Sequence, residues 1–402
     1  MKFNLQILAI ASLCLVCGPI SAQSKKSKKE ENKKPSYEFT IVKENPITSI
    51  KNQNRSSTCW SFSTISFLES EAIKNGAPKD LDLSEMFVVY KSYADKAEKY
   101  VRLDGALNFA PGGSFEDVLY VFKNYGAVPD KEMDGLKYGE EKHVHNELDA
   151  VTKGYIDAVL KNPNKKLSPV WKKGFCGILD AYLGSIPDKF TVDGKEYTPL
   201  TYAQSLNINP DDYVSITSYT HHPFYSQFVI EVPDNWRWGA SYNVPMNEMI
   251  EIIDNAIENG YTIAWGADVS EKGFTRNGIA VVPAEVEANE KSGSDQAKWV
   301  GANKEAVPFF DAPGKEKEIT QEMRQIDYDN KQTTDDHGMQ IYGIAKDQNG
   351  TKYYMVKNSW GENNKYKGTW YVSEPYVKFK TMNFVVNKNA IPEAIRTKMG
   401  IK

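Results

Sequence analysis

The spacing of the apolar residues changes near residue 212, and this change restricts the chain to a small set of folds. Before it, apolar residues recur every three to four positions, which predicts helices over about 59–75, 84–100, 114–124 and 145–160. After it, short β-branched and aromatic runs alternate with turn residues, and one helix is predicted at about 247–259. A helical half followed by a strand-rich half predicts the α+β class, with a cleft where the two halves meet.

The first 36 residues are predicted to precede the folded domain. Residues 1–22 combine a lysine, an apolar run and small residues up to Ala22, which is the pattern of a secretory signal peptide cleaved after Ala22. The run is short for a membrane span, and lipid modification at Cys17 is the alternative. Residues 23–36 hold six lysines and two glutamates without a large apolar residue, which predicts a disordered linker. We therefore expect a protein exported to the periplasm or the exterior, in a bacterium.

Cleavage after Ala22 would leave two cysteines, Cys59 and Cys176, which are too few for a disulfide scaffold. Cys176 lies among apolar residues at helical spacing, which predicts a buried structural thiol. Cys59 instead begins the first predicted helix, where Ser57 or Thr58 could cap the helix and the helix dipole favours a thiolate. Cys59 is therefore the candidate nucleophile.

A cysteine nucleophile needs a base, and the chain has five histidines. His143 and His145 belong to a charged stretch that we expect to be exposed, and they lack the further ligands of a metal site. His221 and His222 precede a proline at a turn and are interpreted as loop or packing residues. His337 lies where a polar run meets an apolar strand, so it is the candidate base. The expected partnership is a thiolate–imidazolium pair, and neither a metal nor an organic cofactor is expected.

The residues around the next strand supply groups that could complete such a site. Asn358 follows that strand, so a hairpin could bring its amide oxygen to the His337 imidazole. Trp360 could shield the resulting hydrogen bond from water. Gln53 could donate to an oxyanion together with the Cys59 backbone N–H.

Three segments resemble the active-site boxes of the papain-like cysteine peptidases, namely QNRSSTCWSFS (53–63), DDHGM (335–339) and KNSWGE (357–362). The resemblance implies one role for each matched residue: Gln53 in the oxyanion hole, Cys59 as nucleophile, His337 as acid and base, Asn358 as its orienting group, and Trp60 and Trp360 as supporting residues.

Longer segments are similar to one branch of that family, the bleomycin hydrolases and aminopeptidases C. They include YKSYADKAEKY, VFKNYGAVPDKEM, GTWYVSEPYV and the stretch 241–271, and the resemblance covers about 37–395. It implies a papain-like fold of two subdomains: a helical half at about 37–210 with a helical insertion at about 130–200, a β-rich half at about 211–390, and a C-terminal tail at 390–402. It also implies peptide substrates and a hexameric homo-oligomer.

The same branch places its C-terminal tail in the cleft, where the terminal carboxylate meets the free amine of the substrate. The resemblance therefore implies an aminopeptidase. In this chain the tail ends at Lys402, about a dozen residues earlier than is usual in the branch.

Together these features predict a secreted cysteine peptidase that hydrolyses peptide bonds through a thiol acyl-enzyme, with aminopeptidase action favoured. An endopeptidase or an enzyme that releases oligopeptides is the alternative. A peptide-binding protein without turnover and an acyl transferase with the same nucleophile are alternatives of other classes. Nucleic acid is not an expected partner, because the formal net charge of -4 leaves no basic surface overall.

Overall fold

The computed structural model describes residues 36–284 and 308–402. The predicted signal peptide, with Cys17 and Ala22, and all of the predicted linker except Ser36 lie outside the described residues. Within the described part, no helix has the length and the apolar character that crossing a membrane requires.

Six helices occupy the first half of the described chain: α1 Cys59–Lys74, α2 Glu85–Arg102, α3 Phe115–Asn124, α4 Asn146–Leu160, α5 Trp171–Leu183 and α6 Pro199–Ser205. Their apolar faces meet in one core that includes Phe67 of α1, Phe87 of α2 and Phe175 of α5, all fully buried. Polar residues fix where the helices begin. The Ser84 hydroxyl accepts from the Phe87 N–H at the start of α2, and Ser114 and Asp117 form a capping box at the start of α3.

The second half is built on a mixed sheet. Its strands are β1 Phe39–Glu44, β4 Tyr213–Thr217, β5 Gln227–Val229, β6 Ala240–Asn243, β7 Ile263–Ala267, β8 Ile279–Ala280, β9 His337–Asp347, β10 Lys352–Lys357, β11 Thr369–Ser373 and β12 Thr381–Asn387. They follow the order β5-β6-β4-β12-β7-β9-β10-β11-β8, and β1 pairs with β9. A separate hairpin of β2 Phe190–Val192 and β3 Lys195–Tyr197 lies in the helical half.

Four further helices accompany this sheet within the described residues: α7 Met246–Glu258, α8 Gln321–Asp329, α9 Glu374–Lys380 and α10 Glu393–Lys398. Helix α7 contributes Met249, Ile252 and Ile253 to a second core, which also contains Trp265 of β7 and Ile341 of β9.

The α+β class is confirmed, and β9 connects the two halves. Strand β9 contacts α1 and pairs antiparallel with β7 over its first residues and with β10 further along. The N-terminus of α1 and the start of β9 therefore lie together, and the predicted hairpin carries Asn358 at the end of β10. One detail differs from the expected division of the chain: residues 39–44, assigned to the helical half, form a strand of the sheet, because β1 pairs with the far end of β9.

Candidate active site

Cys59 is the first residue of α1 and lines a cleft of about 230 Å³ together with Gln53, Trp60 and His337. The expected capping of α1 by a hydroxyl is wrong: Thr58 occupies the N-cap position, but within the described structure its side chain makes no capping hydrogen bond. The Thr58 hydroxyl bonds Ser56 instead. The Thr58 side chain therefore caps none of the first N–H groups of α1.

His337 is the first residue of β9 and is held by Asn358. The Nε2 atom of His337 lies 2.8 Å from Oδ1 of Asn358. The same Oδ1 accepts from the Ser359 backbone N–H at 2.7 Å, which fixes the orientation of the amide because a backbone N–H can only donate. Nε2 therefore carries the proton of the neutral imidazole, and Nδ1 keeps its lone pair. Nδ1 has no hydrogen-bond partner among the described residues, although only 2% of the His337 surface is exposed.

Trp360 covers the His337–Asn358 pair as the sequence suggested. Its ring stacks on the His337 imidazole with 4.6 Å between the ring centroids, and it is itself packed edge-on against Trp370. A hydrogen bond that is shielded from water in this way is stronger than an exposed one. Trp60, the residue after Cys59, is buried and donates from Nε1 to the Pro111 carbonyl oxygen at 3.1 Å.

Ser359, which the sequence alone did not single out, fixes Gln53. The Gln53 backbone N–H donates to the Ser359 carbonyl oxygen at 2.8 Å, and the Ser359 hydroxyl donates to Gln53 Oε1 at 2.6 Å. The amide oxygen of Gln53 is thereby occupied, which orients its Nε2 donors away from Ser359. The position of Ser359 directly after Asn358 in the NSWG segment was the one indication in the sequence that it could take part in the site. The two residues in contact, Ser359 and Gln53, are 306 positions apart in the chain.

Replacing Ser359 by alanine should loosen Gln53 and lower kcat by roughly 10-fold with little change in KM. The Ser359 hydroxyl orients the Gln53 amide, and this amide is expected to donate to the oxyanion chiefly in the transition state. Steady-state kinetics on one peptide substrate measure this. Thr397→Ala, which removes an exposed hydroxyl in α10, serves as the control. An unchanged kcat for Ser359→Ala would show that Gln53 does not depend on this contact.

Burial shifts the pKa values of both Cys59 and His337. It raises the pKa of Cys59 to about 12, with smaller contributions in the same direction from Asp335 and Asp234, and it lowers the pKa of His337 to about 4. Backbone N–H groups of Gly338 and Trp60 oppose the first shift, and Asn358 opposes the second. Beside a neutral partner, each group therefore stays neutral. The expected ion pair requires the proton to pass from Sγ to Nδ1, so that two opposite charges arise together and stabilise each other.

The other histidines lie elsewhere, and one expectation about them is wrong. His145 is fully buried, which lowers its pKa to about 3, and the pKa of the partly buried His143 falls to about 4. The two histidines face the protein, although Glu141 and Lys142 before them are exposed as expected. The His143 carbonyl oxygen accepts from the Arg55 N–H and so ties this stretch to the loop before Cys59. Cys176, expected to be buried, is only partly so.

His221 and His222 do more than fill a turn. Each places its Nε2 atom 3.3 Å from a carboxylate oxygen of Glu231, and one ligand atom from each of the three residues lies within 4.8 Å of the others. These are residue types that bind zinc. Gln325 contacts the remaining nitrogen of His221. The group includes none of the residues that line the cleft, and we assign it no step in the reaction.

Comparisons with known families agree with this geometry. The family described as papain family cysteine protease matches residues 36–158, which include Gln53 and Cys59. The family described as peptidase C1-like matches residues 316–401, which include His337 and Asn358. The two matched ranges thus carry the two sides of the site.

Individual relatives are similar over most of their length. Aminopeptidase E of Lactobacillus helveticus is 22% identical over 390 residues, covering 86% of this chain and 82% of the relative. Bleomycin hydrolase of Gallus gallus is 20% identical over 400 residues, with 87% and 82% covered. Among solved structures, the crystal structure of PepW from Lactobacillus rhamnosis has a TM-score of 0.68 at 18% identity and covers 90% of this chain and 84% of that one, a likeness of fold. These matches together support a papain-like cysteine peptidase of the branch that contains aminopeptidase C and bleomycin hydrolase.

Proposed function

We propose that this protein is an aminopeptidase in which Cys59, His337, Asn358 and Gln53 hydrolyse peptide bonds through a thiol acyl-enzyme. The observation that carries the catalytic assignment is the state of His337. One of its nitrogens is bound to Asn358, while the other is buried, has no partner among the described residues, and belongs to a side chain that lines the same cleft as Cys59. A base that is oriented on one side and vacant on the other is the arrangement that nucleophilic catalysis needs.

In the first half of the reaction, Cys59 Sγ attacks the carbonyl carbon of the peptide and its proton passes to Nδ1 of His337. The oxyanion that forms accepts from the Cys59 N–H and from Gln53 Nε2. The C–N bond then breaks as Nδ1 returns the proton to the leaving amine, which leaves a thioester on Cys59. In the second half, Nδ1 takes a proton from water, the resulting hydroxide attacks the thioester, and the thiol regains its proton as the acid departs.

The names of the relatives support removal of single N-terminal residues. The position of the C-terminal tail, however, is not the one that the resemblance implied. Helix α10 packs its Ile395 into the second core, and Lys398 pairs with Glu248 of α7 at 2.7 Å. Among the described residues that line the cleft, none belongs to 390–402. This position favours a second candidate, an endopeptidase, because no tail would then block internal cleavage.

The state of the substrate N-terminus separates the two candidates. A peptide with a free N-terminus should be cleaved at its first bond, and acetylation of that N-terminus should lower kcat/KM by roughly 100-fold, because an ammonium group that the site recognises is lost. Mass spectrometry of the products and initial rates on the paired peptides provide the measurement. Equally fast internal cleavage of the acetylated peptide would favour the endopeptidase.

Two further proposals rest on the sequence and on the resemblance. The first is that residues 1–22 direct export and are removed. Sequencing of the mature N-terminus tests this, and a chain that starts at Gln23 would support it. The second is that six copies of the chain assemble into a hexamer. The mass of the particle in solution tests this, and the mass of a single chain would contradict it.

A further inference from the structure

The side chains that line the cleft beside Cys59 include acidic residues but no lysine and no arginine among the described residues. The four acidic residues are Glu116, Asp234, Asp335 and Asp336. A cleft lined by one sign of charge concentrates ligands of the opposite sign. Which of the four could meet a ligand depends on how each is already bonded.

Asp336 is engaged by the protein. It accepts from the Ser270 backbone N–H at 3.1 Å and from the Ser270 hydroxyl, and the Thr334 hydroxyl donates to it at 2.7 Å. Asp335, the next residue along the chain, has no hydrogen-bond or ion-pair partner among the described residues, and its side chain is accessible from the cleft. Partial loss of hydration within the cleft and the nearby carboxylates of Asp234, Asp336 and Glu116 raise its pKa well above the usual value, although the side chain itself is exposed.

Asp234 approaches from another element, the loop between β5 and β6. Its carboxylate lies against the Gly112 backbone, where a side chain on residue 112 would overlap it. Asn108 Nδ2 donates to it at 3.2 Å, and no lysine or arginine of the described structure forms an ion pair with it. The positive charge of Lys96 partly offsets the negative charge of Asp234 without an ion pair between them. The Lys96 Nζ atom itself donates to the carbonyl oxygens of Ala110 and Gly112.

A second observation, independent of the carboxylates, also indicates a ligand in this cleft. His337 is 2% exposed and lines the cleft, and its Nδ1 atom has no hydrogen-bond partner among the described residues. A buried polar atom without a partner is uncommon in folded proteins and calls for one. Moreover, the charges of Asp335 and Asp234 both act on the Cys59 thiol and disfavour its ionisation. A cation held between them would remove that opposition.

We propose that Asp335 and Asp234 form a subsite for a positively charged group of the substrate, an alkylammonium or a guanidinium. The inference rests on the proposed peptidase function and specifies the charge class of its substrates. Two carboxylates that line the same cleft without a cation in contact are stabilised by a ligand that brings one, and the charge-assisted hydrogen bonds that form are shorter and stronger than neutral ones. The ammonium at a peptide N-terminus and the side chain of lysine or arginine share this chemistry.

Two pairs of fluorogenic substrates separate these sources. The first pair is leucyl-aminomethylcoumarin with a free or an acetylated amine. The second is acetyl-arginyl-leucyl-aminomethylcoumarin and its citrulline counterpart, which has nearly the same shape without the charge. The wild-type protein should prefer the charged member of at least one pair by roughly 10-fold or more in kcat/KM, mainly through KM. The pair that shows the preference identifies the source of the cation.

Asp335→Asn and Asp234→Asn should each lower the ratio of charged to neutral turnover by roughly 10-fold. Asp80→Asn, which removes an exposed carboxylate outside the cleft, is the matched control and should keep the wild-type ratio. Because each ratio is internal to one protein sample, a partly unfolded variant still gives a valid result. Ratios unchanged in both variants would overturn the subsite while leaving the peptidase function intact. Equal turnover within both pairs would overturn the subsite and favour the endopeptidase over the aminopeptidase. Hydrolysis of none of the four substrates would overturn both.

Discussion

Cys59→Ser should lower kcat/KM for peptide hydrolysis by about 10³-fold or more while leaving the fold intact, because nucleophile and base act as one unit and the unit is lost when either member fails. A serine hydroxyl in the same position would face the same enclosure but has a much higher pKa than a thiol. Circular dichroism establishes that the variant is folded, and initial rates on a fluorogenic peptide measure the loss.

Cys176→Ser is the matched control for this variant. Cys176 lies in α5, lines a separate pocket with Lys91 and Lys172, and takes no part in the cleft. Its replacement should leave kcat/KM within about 2-fold of the wild-type value, the scatter expected for a substitution away from the site. Loss of turnover in this variant, or its persistence in Cys59→Ser, would move the nucleophile away from α1.

His337→Ala should produce the second large effect, a loss of roughly 10³-fold in kcat/KM together with a changed alkylation profile. In the wild-type protein, proton transfer to Nδ1 should let iodoacetamide react with Cys59 well below pH ~8.5, the ordinary cysteine pKa. Without the imidazole no base is left to accept the proton, and burial together with the charges of Asp335 and Asp234 keeps the pKa of Cys59 raised. Reactivity should therefore move to alkaline solution.

The rate of alkylation measured between pH 5 and pH 10 gives this profile, and His222→Ala, outside the cleft, is the control. Superimposable profiles for the wild-type protein and His337→Ala would contradict the proton transfer. A raised pKa keeps the proton on the Cys59 sulfur at low pH. Alkylation at low pH therefore requires a base that accepts this proton.

Local sequence patterns predicted those parts of the site that local structure determines. Cys59 begins α1 because an apolar period starts there, and Asn358 reaches His337 because a hairpin joins β9 and β10, as the alternating runs suggested. The resemblance to the papain-like peptidases implied for Gln53 the same role that its position six residues before Cys59 had suggested.

Contacts between residues far apart in the chain were less accessible. Ser359 holds Gln53 across the boundary between the halves, and His145 is buried because a charged segment of the insertion folds against the loop before Cys59. The tail resembles its branch as far as Ile395, yet its position depends on Ile395, which packs into the second core, and on Lys398, which pairs with Glu248 of α7. Each of these outcomes depends on partners that come together only in the folded chain.

The same limit explains why the acidic cleft was not recognised. The sequence shows Asp335 two residues before His337, but it does not show that Asp234 lines the same cleft from a loop about a hundred residues earlier. Nor does it show that Asp336 is bonded to Ser270 and Thr334 whereas Asp335 has no such partner in the described structure. The distinction between a structural and an available carboxylate appears only in three dimensions.

The central claim is that Cys59 is the nucleophile and is activated by His337, and labelling with an epoxide thiol trap tests it most directly. The protein is incubated with the trap near neutral pH, and the modified residue is located by peptide mass mapping. We expect one adduct per chain, on Cys59, formed in step with the loss of peptidase activity and suppressed in His337→Ala. Labelling of Cys176 first, or full activity in protein whose Cys59 is completely labelled, would contradict the claim.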